Sequence, residues 1–174
     1  STGTNWLRKG TQPYSDSLQS FLRTLKGMLI EGILPHQDMP KTVADLNLDD
    51  EHITVGVSDT LQEGARRMLS VPGGIVVVLN DSDHVKGVLG HNQFLKAMTE
   101  SVDASQATCA EWMEMDFLQV DLKDTLKYVL SEIKKRSPQA VVAVDENNEF
   151  SGYFSPSDYK QATSLVGSLS SLGL

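Results

Sequence analysis

Two runs of five consecutive apolar residues, Ile75-Val76-Val77-Val78-Leu79 and Ala140-Val141-Val142-Ala143-Val144, punctuate the chain. Their length and β-branched content, with turn residues directly after them, predict strands that are buried on both faces. Each run leads into a polar stretch, Asn80-Asp81-Ser82-Asp83 or Asp145-Glu146-Asn147-Asn148, and then into a second short apolar segment at 85–89 or 150–154. That pairing reads as a β-hairpin. Ahead of each run the apolar period lengthens toward 3.6: Leu61, Ala65, Met68 and Leu69 share one helical face, as do Leu126, Val129, Leu130 and Ile133. Both faces are expected to point inward. Asp59-Thr60 and Asp124-Thr125 offer N-cap side chains to these helices, and Gln62 or Glu63 is placed for a capping box in the first. Short strands at 53–57 and 117–120 come before them. A last helix follows each hairpin, carrying Phe94, Leu95 and Met98 in one case and Tyr159, Ala162 and Val166 in the other.

The two series are one pattern used twice. Asp59-Thr60-Leu61 returns as Asp124-Thr125-Leu126, the first apolar run as the second, and Gly87-Val88 as Gly152-Tyr153, all displaced by 65 residues. Upstream, Thr42-Val43-Ala44-Asp45-Leu46 returns as Thr108-Cys109-Ala110-Glu111-Trp112 at a displacement of 66, as one inserted or deleted loop residue would produce. The expected fold class is mixed α/β (α+β): two β-α-β-β-α units, roughly 42–100 and 108–166. A unit of about 60 residues is marginal by itself, so the twin is the natural cover for the second face of each apolar strand, with the two related by pseudo-twofold symmetry.

The resulting division is an N-terminal helical extension (1–41), a first unit with its linker (42–107), and a second unit with a C-terminal tail (108–174). In the extension Leu18, Phe21, Leu22, Leu25, Met28 and Leu29 form an amphipathic stripe that runs to stop signals near Gly32 and Pro35. Such a face needs cover from the paired units, from its counterpart in a dimer, or from a neighbouring domain.

Charge and composition remove several function classes. The 174 residues carry 23 acidic against 15 basic side chains, a net charge of -8 that opposes nucleic-acid binding. Apolar runs of five residues are far too short to insert into a bilayer, which takes about 20, and residues 1–9 hold no secretory h-region. A single cysteine, Cys109, excludes an internal disulfide and fits a reducing compartment, with the cytoplasm as the default. The four histidines, His36, His52, His84 and His91, lack the spacing of a metal pair, so no metal is expected. No nucleophile elbow, Walker loop or dinucleotide fingerprint is present, and the chain is not expected to be an enzyme. Lys134-Lys135-Arg136 suits a helix C-terminus, where cations complement the dipole.

Taken in order, "TVADL" and "TCAEWM", "SDTLQEGARRML" and "KDTLKYVLSEI", then "VVVLNDSDHVKGVLGHNQF" and "VVAVDENNEFSGYFSPSDY" resemble the CBS domain family, in tandem, over roughly residues 42–166. The resemblance implies a regulatory Bateman-type module. It also implies that Ser155 and Asp158 contact the phosphate and ribose of an adenosyl ligand (AMP, ADP, ATP or S-adenosylmethionine). The base would lie against the first unit, at Leu48, Ile53, Gly73, Gly74 and Ile75. The first unit's own motif position reads Gly90-His91-Asn92-Gln93, lacking hydroxyl and carboxylate, and its site is expected to be degenerate. Ser155-Pro156-Ser157-Asp158 is equally a good helix start, with Ser as N-cap and Pro at N1. Val71-Pro72-Gly73-Gly74 brings no basic side chain for a phosphate. Two functions stay open: an adenosyl sensor that controls a host enzyme or membrane transporter, and a ligand-free dimerisation or interaction module. A homodimer is expected in either case.

Overall fold

The repeat along the chain is also a repeat in space. In the computed structural model, which describes residues 19–24, 26 and 41–171, the first half runs β1 (His52–Gly56), α1 (Leu61–Met68), β2 (Ile75–Leu79), β3 (Val85–Leu89) and α2 (His91–Thr99). A one-turn helix, α3 (Cys109–Trp112), leads into β4 (Phe117–Asp121), α4 (Leu126–Arg136), β5 (Ala140–Val144), β6 (Phe150–Phe154) and α5 (Pro156–Ser171). Each half is a three-stranded sheet whose first two strands are parallel and whose hairpin is antiparallel. His52 pairs with Ile75 as Phe117 pairs with Ala140, so the 65-residue displacement carries over into the register itself. The β-α-β-β-α order is the predicted one, twice.

Local chemistry explains the helix starts. Thr60 Oγ1 accepts from the Glu63 N–H and Thr125 Oγ1 from the Tyr128 N–H, each at 3.1 Å. The adjacent aspartates do a different job: Asp59 accepts from the Gly56 N–H at 2.8 Å and Asp124 from the Asp121 N–H at 2.9 Å, closing the turn out of each first strand. Glu63 completes no capping box, because its carboxylate turns along the helix to Arg66 and Arg67. Lys134, Lys135 and Arg136 occupy the last turn of α4, which ends on Ser137 in the left-handed region.

Alternation on the central strands sorts two cores. Val76 and Val78 face the helices of the first half, and Val141 and Ala143 those of the second. Val77, Val85 and Val88 meet Ala140, Val142 and Tyr153 in a third cluster between the sheets. A strand between helices and a second sheet has no polar face, hence the unbroken apolar runs.

The predicted helix faces need correction in the first half. There α1 buries Leu61, Gly64 and Met68, while Ala65 and Leu69 are exposed; the helix ends at Met68, which leaves Leu69 as its C-cap, beyond the packed face. Likewise α2 turns Ala97 and part of Phe94 inward and leaves Leu95 and Met98 outside. In the second half Leu126, Val129 and Ala162 are fully buried, Leu130, Ile133 and Val166 pack on them, and Tyr159 is exposed.

The entrance segments cross over. Val43, Leu46 and Leu48 belong to the core of the second half, and Cys109, Trp112 and Met113 to that of the first. Backbone bonds match: Val43 N–H donates to Asp124 O at 3.0 Å, and Cys109 N–H to Asp59 O at 2.7 Å. Each segment then runs along the edge of the other half's hairpin, Tyr153 N–H donating to Leu48 O at 3.1 Å and Val88 N–H to Glu114 O at 3.0 Å.

The chain divides into two compact units, Ser1–Pro40 and Lys41–Leu174, and both halves of the repeat belong to the second. In the first, residues 19–24 are helical with Phe21 and Leu22 exposed. Leu18, Leu25, Met28, Leu29, Gly32 and Pro35, on which the rest of the predicted stripe and its stop depend, lie outside the described residues. Among the described residues no helix is long and apolar enough to cross a membrane.

Candidate ligand site

Ser155 follows β6 directly and precedes the first residue of α5. Its N–H donates to Asp158 Oδ2 at 2.9 Å, and the Asp158 N–H donates to Ser155 Oγ at 3.2 Å. This reciprocal pair is a capping box built with aspartate, so the helix-start reading of the motif is realised. Ser155 and Asp158 are 1% and 5% exposed and are the two buried polar or charged residues among the described ones.

A third residue enters from the first half. Glu51, just ahead of β1, accepts at Oε2 from Ser155 Oγ and from Ser157 Oγ, both at 2.7 Å. Its backbone has φ 61°, in the left-handed region that costs a non-glycine residue about 1 kcal/mol or more. What holds it there is the entrance to β2: Ile75 N–H donates to Glu51 O at 3.1 Å, and a β-carbon on Gly74 would lie 2.2 Å from the same oxygen. Gly74 is glycine so that Glu51 can lie against it.

The electrostatics are one-sided. Carboxylate oxygens of Asp50, Glu51 and Asp158 lie within 4.8 Å of one another. Hydrogen bonds from Ser157 and Ser155 hold the Glu51 carboxyl below its ordinary range. Burial pushes Asp158 up against the bonds from Ser155, and the charges of Asp50 and Glu51 push the same way. Burial, with Glu51 and Asp158 nearby, raises the Tyr153 phenol to about 12. No Lys or Arg among the described residues forms an ion pair with these acids.

The apolar side of the site comes from the second half. Val141 pairs with Phe154, so the start of β5 lies beside Ser155. A cavity of about 220 Å³ opens there, lined by Pro138, Ala140, Tyr153, Phe154, Ser155 and Tyr159 among others. At the equivalent place in the first half the Gly90 N–H donates to Gln93 Oε1 at 2.7 Å, and a cavity of about 270 Å³ is lined by Ile75, Gly90, Gln93, Glu114 and Ala140 among others. The amide does the capping there, with neither hydroxyl nor carboxylate at the two motif positions.

The predicted residues therefore divide. Ser155 and Asp158 stand together, and Gly74 and Ile75 reach them through Glu51. Leu48 is packed into the core of the second half and Ile53 against that of the first. Gly73, at φ 81°, forms the turn before β2 and lines a cavity between α1 and α2 with Met68, Leu69 and Phe94. The amides of Gly74 and Ile75 are already bonded, to Val71 O and Glu51 O. Sequence reasoning passed over Glu51, Asp50, Ser157 and Tyr153. One signal was available: an acidic residue stands just before the first strand of each unit, Glu51 and Asp116, 65 positions apart.

No family model and no curated protein matches the sequence. Solved structures are similar in fold, and the architecture they share with this chain is that of a tandem CBS pair. A candidate acetoin utilization protein (AcuB) from Vibrio cholerae is similar over 76% of this chain and 97% of its own, with a TM-score of 0.63 at 18% identity. A CBS domain pair/ACT domain protein from Thermotoga maritima is similar over 72% and 98%, with a TM-score of 0.59 at 20% identity. The cytosolic domain of the Mg2+ channel MgtE, in complex with ATP, covers 66% of this chain and is covered over 46% of its own, with a TM-score of 0.54 at 18% identity.

Proposed function

We propose that this chain is a regulatory CBS-pair module, not an enzyme, that binds an adenosyl ligand beside Ser155 and Asp158 and passes the bound state to a host enzyme or transporter from the cytoplasmic side. The observation that carries this reading is the buried Ser155–Asp158 pair between an apolar cavity of the second half and Glu51 of the first. Ser155 lines the cavity of the second half and is bonded to Glu51 of the first, so a ligand beside it can bias the contact that joins the halves. The ATP complex of the MgtE domain lends the ligand class support by likeness of fold. No cofactor is required.

A thermal-shift screen of AMP, ADP, ATP, S-adenosylmethionine and adenosine tests the proposal. Ligand at about 100 times its Kd stabilises by roughly 2.7 kcal/mol, several degrees for a chain of this size. Asp158→Ala should lower the unliganded midpoint through the lost cap and also abolish the ligand increment. An increment that survives Asp158→Ala, or no increment with any compound at millimolar concentration, refutes ligand binding at this pair.

The second reading, a ligand-free interaction module, is favoured by the degenerate first-half position and by the exposure of Leu69, Leu95 and Met98. Under both readings we propose a homodimer, with these side chains of α1 and α2 facing a second copy.

A further inference from the structure

We propose that Glu51 sets the charge of the ligand: the cleft accepts a ribose-bearing adenosyl compound that is neutral or cationic and rejects one that carries phosphate. This inference rests on the reading of Ser155 and Asp158 as ligand residues.

A phosphate at the start of a helix needs free hydroxyls, free amides and a favourable field. Here the hydroxyls of Ser155 and Ser157 both donate to Glu51 Oε2, and the Ser155 N–H donates to Asp158 Oδ2. The helix start is thus served by the protein's own carboxylates. Asp50 brings a third within 4.8 Å, and no Lys or Arg among the described residues is ion-paired with any of them. Glu51 is not free to swing aside as a unit, since its carbonyl is tied to the Ile75 N–H and its backbone lies against Gly74.

The same oxygens that repel phosphate suit the rest of an adenosyl compound. Ionised carboxylates only accept hydrogen bonds, and the vicinal hydroxyls of a ribose can donate to Glu51 and Asp158 together. A sulfonium or ammonium group on the ligand gains attraction from all three acids. The cavity beside Ser155 meets these acids only through that serine, whose hydroxyl lies on Glu51 Oε2, so a ligand in it reaches the carboxylates at the helix start. Glu51 is therefore a specificity-determining residue that the Ser-x-x-Asp motif alone does not reveal.

Calorimetric titration of the full chain with adenosine, S-adenosylmethionine and AMP, first in EDTA and then with Mg2+, tests the inference. Wild type should bind adenosine and S-adenosylmethionine, with AMP weaker by roughly tenfold or more, the Coulomb penalty of one carboxylate at these distances. Glu51→Ala frees the Ser157 hydroxyl, leaves Ser155 with Asp158 Oδ2 as its acceptor at 3.0 Å and removes one charge, and should improve AMP binding by roughly tenfold while adenosine weakens or holds. Glu51→Gln keeps an acceptor for the serines and isolates the charge, giving an answer if the alanine variant does not fold.

Wild type that binds AMP in EDTA as tightly as adenosine overturns the inference and leaves the adenosyl reading standing. The same is true if AMP affinity is unchanged in both variants, or if AMP binds wild type well once Mg2+ is added, which would mean that the acids recruit a cation for the phosphate. Failure of all three compounds to bind wild type and variants overturns the adenosyl reading, and the inference falls with it.

Discussion

A β-carbon on Gly152 would lie 2.4 Å from Leu48 Cβ and 2.8 Å from Leu48 O, because the entrance segment of the first half runs along this edge of the hairpin. Gly87, its repeat partner, faces the Met113 side chain from 2.5 Å. A thioether side chain can change rotamer and a backbone carbonyl held in a hydrogen bond cannot, so the two glycines should not be equally replaceable. Gly152→Ala is expected to cost about 1 to 3 kcal/mol, and Gly87→Ala distinctly less, by urea denaturation. Equal losses would mean that the entrance segments are not what these glycines accommodate. The repeat brought both glycines into view at the level of sequence. It did not reveal why they are glycine, because the atoms that crowd them come from about 25 positions downstream in one case and about 100 upstream in the other.

At the level of elements, the exchanged entrances make each half's core depend on the other half's chain. Val43 is fully buried among Leu118, Val120, Leu126 and Phe154, all of the second half. Trp112 packs against Val55, Leu61 and Val76 of the first. Val43→Ala should therefore cost about 2 kcal/mol, with amide hydrogen exchange rising first in β4 to β6. Trp112→Ala should loosen β1 to β3 instead. Native-state exchange read strand by strand decides this, and a Val43→Ala variant that opens β1 to β3 first would contradict the crossover. The entrances themselves were legible as repeated motifs. Their destinations were not, since either half offers an equivalent apolar docking place and only the path of the linker in space selects between them.

For the whole molecule, the two halves have the same fold but different surfaces. Leu69, Leu95 and Met98 on the first half are 81%, 56% and 73% exposed, whereas the positions 65 residues on are Lys134, Lys160 and Thr163. The second half's helices expose Tyr128 and Tyr159 instead, so the exposed leucine and methionine side chains of the helices mark one of two equivalent faces, and an isologous pairing brings that patch onto itself. Light scattering should give the mass of a dimer for wild type. Installing the second half's own residues, Leu69→Lys, Leu95→Lys and Met98→Thr, should give a monomer, with each change within about 0.5 kcal/mol of neutral for the isolated fold. A wild type that stays monomeric at high concentration would remove the dimer from the proposal.

What the sequence determined by itself is whatever depends on neighbours within a few residues: the two apolar strand pairs, their turns, the Thr60 and Thr125 caps, and the Ser155–Asp158 cap. The repeat then added the twin as cover for the strands, since an apolar run without a polar face needs two apolar surroundings. Tertiary structure alone decided which helical positions face inward, which half each entrance joins, and that Glu51 occupies the serine hydroxyls of the motif. Each of these is a choice between locally equivalent alternatives. Leu69 and Met68 are both apolar residues at the end of one helix, and Glu51 is one acid in the run Asp49-Asp50-Glu51. Local propensity is blind to such choices, because the energy that separates them lies in contacts between segments distant along the chain, Glu51 with Ser155 and Leu48 with Gly152 among them.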